Sequence, residues 1–232
     1  MSVFNQNKMS ADTISEFILS KFNIDYNDKT QMPIEIPGFG RYELADMFRE
    51  LGFKVGAEIG VYQGEYSEVL CKANPEAKLY SIDPWEPHDD YTAFVKPKTF
   101  EKAFEMAKAR LSGRNCEMIK KKSLDAVKDF ADESLDFVYI DGDHSFQACT
   151  NDIVEWSKKV RVGGIVAGHD YIKHLPRSII HVYEVVNGYT QAYRIRPWFI
   201  TAPKVIINGV ITPEERTFFW VKTLFPEPRR YD

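Results

Sequence analysis

Residues 55–64 read Val-Gly-Ala-Glu-Ile-Gly-Val-Tyr-Gln-Gly, an apolar run that ends in a carboxylate and two glycines. Such a run predicts a buried strand that turns sharply into a helix, because glycine permits both the backbone angles and the close approach of a ligand. A second apolar strand follows and ends in Asp83-Pro84-Trp85. An acid at this position can accept hydrogen bonds from the vicinal hydroxyls of a ribose. The two strand ends therefore predict one pocket for a ribose-containing ligand.

The spacing Glu58-x-Gly60-x-x-x-Gly64 separates the candidate ligands. A dinucleotide-binding fold uses Gly-x-Gly-x-x-Gly, which places a helix N-terminus against pyrophosphate. A P-loop ends in Gly-Lys-Ser/Thr, and the sequence contains no such tripeptide. A carboxylate inside the turn repels phosphate and favours a ligand that carries an amine or another cation. S-adenosylmethionine (AdoMet) has an amine, a sulfonium and a ribose but no phosphate, so it fits this pattern.

Composition limits the class of protein. The 232 residues are enough for one α/β domain, and 44% hydrophobic with 28% charged residues is typical of globular proteins. The net charge of −4 argues against a nucleic-acid partner. We expect no membrane span and no signal peptide, because no long apolar run is present and the N-terminus is polar. The three scattered cysteines predict reduced thiols and a cytoplasmic protein.

Predicted strands and helices alternate along the chain, which indicates an α/β fold with a mostly parallel sheet between two helical layers. Two β-like runs close the chain, at 198–207 and 217–223. They predict an antiparallel hairpin at the sheet edge around Asn208-Gly209. We assign residues 1–40 to an N-terminal helical extension that covers the active site or pairs subunits of a homo-oligomer. Residues 41–232 would form the ligand-binding domain.

A second group of polar residues follows two further predicted strands. Asp141-Gly-Asp143-His144 comes after one strand, and His169-Asp170 comes after the next. The carboxyl ends of neighbouring parallel strands meet at one edge, so we expect Asp141, His169 and Asp170 to converge. Two carboxylates and an imidazole suit a divalent cation such as Mg²⁺ or Mn²⁺, which would acidify a substrate hydroxyl. A metal-free acid–base site would use the same residues, and turn or cap roles also explain single aspartates.

Two neighbouring residues are candidates for the general base. His144 has the more suitable unperturbed pKa near neutrality. Asp143 would need a hydroxyl that a metal has already acidified. Both assignments stay open, as does a purely structural role for His144.

Two segments of the sequence resemble a known family. They are residues 135–146 (Leu-Asp-Phe-Val-Tyr-Ile-Asp-Gly-Asp-His-Ser-Phe) and residues 162–171 (Val-Gly-Gly-Ile-Val-Ala-Gly-His-Asp-Tyr). They resemble the class I AdoMet-dependent methyltransferases that have Asp-Gly-Asp-His and Gly-His-Asp-Tyr signatures. That group is similar to the metal-dependent O-methyltransferases that act on sugar hydroxyls. The resemblance covers about residues 50–172 and implies the Rossmann-like, seven-stranded methyltransferase sheet.

The resemblance also implies roles for individual residues. Asp141, His169 and Asp170 occupy the metal positions, and Asp143 or His144 lies where relatives place a general base. His169 departs from the sugar methyltransferases, which carry an acid there. The AdoMet site would comprise the residues of the two strand ends and two later positions: Glu58, Gly60, Val61, Gly64, Asp83, Pro84, Trp85, Ser123 and Asp141.

The sequence therefore predicts an AdoMet-dependent methyltransferase that acts on a hydroxyl oxygen of a small molecule, for example a sugar, with a divalent metal as a candidate second cofactor. One alternative is an NAD-dependent oxidoreductase on a related sheet, against which the missing third glycine counts. The other is a non-catalytic AdoMet-binding module, which would retain Glu58 and Asp83 without turnover.

Overall fold

The computed structural model describes residues 9–86, 97–173, 180–202, 205–207, 210–212 and 216–224. Its helices are α1 (Ala11–Lys21), α2 (Arg41–Glu50), α3 (Glu65–Ala73), α4 (Pro97–Leu111), α5 (Ser123–Ala126), α6 (Phe146–Lys159) and α7 (Val182–Ala192). Its strands are β1 (Ile34–Pro37), β2 (Val55–Ile59), β3 (Lys78–Ile82), β4 (Cys116–Ile119), β5 (Leu135–Ile140), β6 (Val160–Gly168), β7 (Trp198–Ala202), β8 (Val205–Ile207), β9 (Val210–Thr212) and β10 (Phe218–Val221).

Within the described residues, eight strands form one sheet in the order β1-β7-β10-β6-β5-β2-β3-β4. β10 runs antiparallel to both β6 and β7, and the other neighbours pair in parallel. The predicted α/β sheet, mostly parallel with an antiparallel C-terminal pair, is thus confirmed. The pair lies inside the sheet and not at its edge. β8 and β9 form a separate two-stranded ribbon, and Asn208-Gly209 lies outside the described residues.

The sheet has one strand more than the expected seven, because the N-terminal segment contributes β1. This strand pairs with β7 from Ile34↔Phe199 to Pro37↔Ala202. It is short and ends in a proline, so its sequence resembles a chain break more than a strand. An edge strand tolerates proline because one side of its backbone has no neighbour to bond. The described part of residues 1–40 therefore contains a sheet strand as well as the helix α1.

Helices cover both faces of the sheet, as predicted. Successive residues of β5 point to opposite faces, so Phe137 and Tyr139 belong to one core while Val138 and Ile140 belong to the other. The first core packs under α1, α2 and α3, with Ile14, Leu44, Phe48 and Leu70 among its buried members. The second packs under α6 and α7, with Ile153, Trp156 and Val185.

The carboxyl ends of four adjacent strands meet at one edge of this sheet. The register pairs Ile59 at the end of β2 with both Ile82 of β3 and Ile140 of β5. Ile140 in turn pairs with Gly168 at the end of β6. The expectation that the two acidic strand ends are neighbours is thus confirmed. All the polar residues that follow these strands start from the same edge.

The three cysteines, Cys71, Cys116 and Cys149, are free thiols. Cys71 and Cys149 are buried, and Cys116 is half-buried. Among the helices in the described part of the chain, none combines the length and apolar character that crossing a bilayer requires.

Candidate active site

The turn between β2 and α3 depends on two glycines with left-handed backbone angles. Gly60 has φ +88°, and Gly64, which precedes α3, has φ +77°. A Cβ on Gly60 would lie 2.0 Å from the carbonyl oxygen of Asp141, so only glycine fits there. A Cβ on Gly64 would lie 3.0 Å from the Cα of Ala107 in α4. Gly60 therefore lets the end of β2 touch the end of β5, and Gly64 lets α4 pack against the turn.

Asp83 organises the same turn. Its Oδ2 accepts hydrogen bonds from the N–H groups of Val61 and Tyr62, each at 2.9 Å. Its Oδ1 accepts the N–H of Trp85 at 2.7 Å. A carboxylate accepts about four hydrogen bonds, so about one position is left for a ribose hydroxyl. Asp83 lies where the sequence placed it, and its ribose contact stays a prediction.

Trp85 and Pro84 have different surroundings. Trp85 is buried, its indole N–H donates to the carbonyl of Tyr62 at 2.7 Å, and its ring meets Phe104 edge to face at 5.0 Å between centroids. It closes a small core between the turn and α4. Pro84, in contrast, lines the large cavity at the carboxyl edge of the sheet.

Glu58 is a buried carboxylate at the end of β2, with only 2% of its surface exposed. The hydroxyl of Ser67 donates to its Oε2, and that hydroxyl lies 2.7 Å from the Oγ of Ser81. Burial raises the pKa of Glu58 well above its usual value, and the hydrogen bond from Ser67 opposes this effect. A ligand cation that entered the cavity would stabilise the ionised carboxylate. Glu58 is therefore suited to receive an ammonium or sulfonium group.

Asp141, His144 and Asp170 form a compact cluster beyond β5 and β6. The Nε2 of His144 lies 3.3 Å from Asp141 Oδ1 and 3.0 Å from Asp170 Oδ2. One potential ligand atom from each of the three lies within 4.8 Å of the other two. Burial alone would lower the pKa of His144, but the two carboxylates raise it above its usual value. The donor set of two carboxylates and one imidazole fits a divalent cation.

His169 and Asp143 flank this cluster. His169 is buried, and its Nδ1 lies 3.4 Å from Asp170 Oδ1 and 3.8 Å from Asp141 Oδ1. Its Nε2 is buried without a hydrogen-bond partner among the described residues. Asp143 Oδ1 accepts the N–H of Ser145 at 2.7 Å, just before α6. The three residues whose ligand atoms come together are thus the two aspartates and His144, with His169 beside them.

Ser123 faces a second buried carboxylate in the lining of the cavity. Its hydroxyl donates to Oδ1 of Asp152 in α6 and accepts the indole N–H of Trp156 at 2.8 Å. Burial raises the pKa of Asp152 to about 7, with the Ser123 hydrogen bond opposing and the charge of Asp143 adding to the rise. Ser123 begins α5, but its side chain is engaged with α6 and caps no backbone N–H of its own helix.

The raised pKa of Asp152 predicts that the stability of the protein depends on pH. Since its pKa is raised to about 7, the folded protein binds this proton more tightly than the unfolded chain does, and the stabilisation is lost as pH rises from about 4 to about 7. At about 1.4 kcal/mol per pKa unit, the full loss is roughly 4 kcal/mol. The side chain in Asp152→Asn stays neutral at every pH. We therefore expect the free energy of unfolding of this variant, relative to that of the wild type, to rise by about 3 kcal/mol between pH 4.5 and pH 8. Urea unfolding without cofactor measures this difference.

The matched control for this prediction is Glu155→Gln. The Glu155 carboxylate lies on the same helix, pairs with Lys158 at 2.7 Å and is 38% exposed. We expect its stability relative to wild type to change little across the same pH range. Parallel pH curves for wild type and Asp152→Asn would contradict the assigned pKa.

The strand ends and the starts of α5 and α6 surround one cavity of about 1200 Å³. Ligand pockets commonly measure about 300–1,000 Å³, so this volume has room for a cofactor and an acceptor together. Its described lining carries two fixed positive charges, Arg41 and Lys122. The acids that line it are more numerous: Glu58, Glu65, Asp83, Glu86, Asp125, Asp141, Asp143 and Asp152. The cavity therefore favours a cationic ligand.

Two lining residues were missed by the sequence analysis. Asp152 sits on the apolar stripe of its helix with Cys149, Ile153 and Trp156, and a carboxylate in such a stripe is a signal that could have been used. Arg41 begins α2, and no sequence pattern connects that helix with the glycine turn. Only the packing of α2 on the rest of the fold brings it to the cavity.

The chain matches one protein family and the fold of several solved structures. Residues 57–171 match the family described as a methyltransferase domain. The O-methyltransferase from Bacillus cereus in complex with SAH has a similar fold, with a TM-score of 0.56, 14% identity and 94% of each chain covered. The O-methyltransferase TomG from Streptomyces achromogenes, in complex with SAM and involved in tomaymycin synthesis, gives 0.56 at 16% identity over 94% of this chain and 93% of TomG.

Sequence relatives cover a smaller part of the chain. An uncharacterized protein of Acanthamoeba polyphaga mimivirus is 27% identical over 118 residues, which are 49% of this chain and 50% of that protein. An uncharacterized protein of Sinorhizobium fredii is 24% identical over 117 residues, 49% of this chain and 12% of that protein. The chain thus spans half or less of the length of these curated relatives.

The matched region runs from β2 to just beyond β6, so it contains the glycine turn, Asp83 and the cluster of Asp141, His144 and Asp170. Fold and family match together confirm the predicted relationship. Residues 57–171 thus match a methyltransferase domain, and the chain has the fold of solved AdoMet-dependent O-methyltransferases.

Proposed function

We propose that this protein transfers the methyl group of AdoMet to a hydroxyl oxygen of a small molecule. One observation carries the proposal: a single cavity is lined both by the buried acid Glu58 in a glycine turn and by Asp141 and His144 of the second cluster. The first group suits a cationic donor, and the second suits a hydroxyl acceptor. The solved relatives, O-methyltransferases in complex with SAH or SAM, support the same reading.

The donor end of the cavity fits AdoMet by its chemistry. When bound, AdoMet supplies an electrophilic methyl group on a sulfonium. Glu58 would hold the ammonium, and the absence of a Cβ on Gly60 permits close contact with the backbone. Asp83, already anchored by three backbone N–H groups, would accept about one ribose hydroxyl. Ser123 and Asp152 line the same cavity and are the candidates for contact with the adenine.

We further propose that Asp141, His144 and Asp170 hold a divalent cation. Such a cation would lower the pKa of an acceptor hydroxyl. With His144 as a ligand, Asp143 is the candidate base, because it lines the same cavity and is fixed by Ser145. His169 would support the two aspartates from behind through its Nδ1. His169, which the sequence predicts as the third ligand, is the alternative imidazole ligand for this cation.

A metal-free version uses the same residues differently. Here His144 would take the acceptor proton, and Asp141 and Asp170 would stabilise the imidazolium that forms. The short distances from its Nε2 to both carboxylates favour this alternative. In either version the cavity aligns donor and acceptor, and this alignment supplies much of the rate of an in-line displacement.

Cofactor binding and turnover test the proposal. We expect calorimetry to detect AdoMet and its demethylated product, and not NAD. Turnover of AdoMet should appear with at least one acceptor from a panel of phenols, catechols and sugars, should stop in EDTA and should return with Mg²⁺ or Mn²⁺. Binding of AdoMet without turnover on any acceptor would favour the non-catalytic module. Activity that EDTA leaves unchanged would favour the metal-free version with His144 as base.

The remaining assignments are proposals of the same kind. A cytoplasmic location is supported by the three free thiols. Residues 1–40 are proposed as an extension to the domain of residues 41–232, with subunit pairing as one role to be tested by sedimentation. A sugar is one acceptor class among those in the panel.

A further inference from the structure

One positive charge in the cavity has no role in the proposed chemistry. Arg41 is the first residue of α2 and lines the cavity with Glu58 and Tyr66. The hydroxyl of Tyr66 donates to the backbone carbonyl of Arg41 at 2.8 Å, and the guanidinium carbon lies 5.5 Å from the centre of the Tyr66 ring. Burial dominates the pKa of Glu58, but the charge of Arg41 is among the influences that lower it. Arg41 is thus held against Tyr66, and both residues line the cavity together with Glu58.

The other charges of the cavity make Arg41 distinctive. Eight of the described lining residues are acids, and those that are ionised repel a ligand carboxylate. Lys122 follows β4, an outermost strand of the sheet, whereas the guanidinium of Arg41 lies over the ring of Tyr66 in α3, the helix that follows the Glu58 turn. Among the described lining residues, Arg41 is thus the cation on the side of Glu58.

An acid and a guanidinium in the lining of one cavity can match an α-amino acid, which carries an ammonium and a carboxylate on one carbon. A guanidinium presents paired N–H donors that fit a carboxylate in two parallel hydrogen bonds. We propose that Arg41 binds the carboxylate of the methionyl group of AdoMet while Glu58 binds its ammonium. Arg41 would then select donors with a complete amino-acid end. This inference rests on the proposed function and names a further binding residue for it.

The test compares AdoMet with decarboxylated AdoMet, which retains the sulfonium and the ammonium and lacks only the carboxylate. Calorimetry should show that the wild type prefers AdoMet by about 10- to 100-fold, the range expected for charge-assisted hydrogen bonds. In Arg41→Met this preference should fall to about threefold or less, through weaker binding of AdoMet alone. Arg41→Lys, which keeps the charge and loses the paired donors, should lie between the two.

Arg49→Met is the matched control, since Arg49 lies on the same helix, is exposed and pairs with Asp46 at 3.0 Å. It should keep the wild-type preference, and thermal melts should confirm that each variant is folded. If the wild type binds AdoMet and Arg41→Met keeps the preference, or loses affinity for both ligands equally, the inference fails while the proposed function stands. If the wild type binds neither ligand, both fail.

Discussion

Asp141→Asn should weaken Mn²⁺ binding at least 100-fold and lower kcat/KM at least 1000-fold, while the protein stays folded. Asparagine has the shape of aspartate, so the backbone contact of residue 141 with Gly60 is retained. The change removes one of the two carboxylates that surround His144. A metal that acidifies a hydroxyl supplies several kcal/mol, and about 1.4 kcal/mol corresponds to a factor of ten in rate. The measurements are Mn²⁺ titration by electron paramagnetic resonance and methyl transfer to the acceptor found in the panel.

Three further variants are compared with Asp141→Asn in this experiment. Asp129 is an exposed carboxylate that pairs with Lys121, so Asp129→Asn should leave both measurements unchanged. His144→Ala and His169→Ala compare the two candidate imidazole ligands: we expect Mn²⁺ binding to weaken far more in the first. Tight Mn²⁺ binding by Asp141→Asn would remove the metal proposal, and a larger effect of His169→Ala would restore His169 as the third ligand.

Gly60→Ala should lower the free energy of unfolding by about 2–5 kcal/mol and abolish binding of AdoMet. The left-handed angle costs a non-glycine residue about 1–2 kcal/mol. The added methyl group would also lie 2.0 Å from the Asp141 carbonyl oxygen, which is backbone and cannot rotate away. Forcing β2 and β5 apart costs a further 1–3 kcal/mol, roughly, by overpacking. It also displaces Glu58 and Asp141 from each other, so the site loses its geometry.

Gly52→Ala separates the two causes. Gly52 also has a positive φ, +70°, but a Cβ there would meet nothing within 4 Å. It should therefore lose only about 1–2 kcal/mol, the cost of the backbone angle, and should bind AdoMet as the wild type does. Urea unfolding and calorimetry measure both variants. Equal stability of the two variants would show that the contact between β2 and β5 is not what requires glycine at position 60.

Much of the fold was predictable because local sequence and topology agree. The strands β3, β5 and β6 are largely apolar runs followed at once by Asp83, Asp141 and His169, and β2 carries Glu58 at its end; parallel strands place these residues at one edge. The sharp turn after β2 could be predicted from Gly60 and Gly64, since few other residues adopt such angles. The convergence of Asp141 and Asp170 then follows from the pairing of β5 with β6.

What could not be predicted depends on tertiary packing and side-chain direction. β1 has four residues and a terminal proline, so only its pairing with β7 defines it as a strand. His144 and His169 are both next to an aspartate in sequence, and only the chain direction after β5 turns His144 Nε2 towards both carboxylates. Arg41 reaches the cavity through the packing of a whole helix. No periodicity or spacing contains that information.

The inner position of β10 has a consequence for synthesis of the protein. β6 and β7 are made first, but they are separated in the sheet by β10, which is translated after both. On the ribosome, β1 and β7 can pair with each other and still lack the strand that joins them to the rest. The strands that bear the active site, β2 to β6, are all available earlier. Co-translational folding should therefore leave the edges of β6 and β7 exposed until residues 218–221 emerge, and unpaired strand edges of this kind are prone to aggregation.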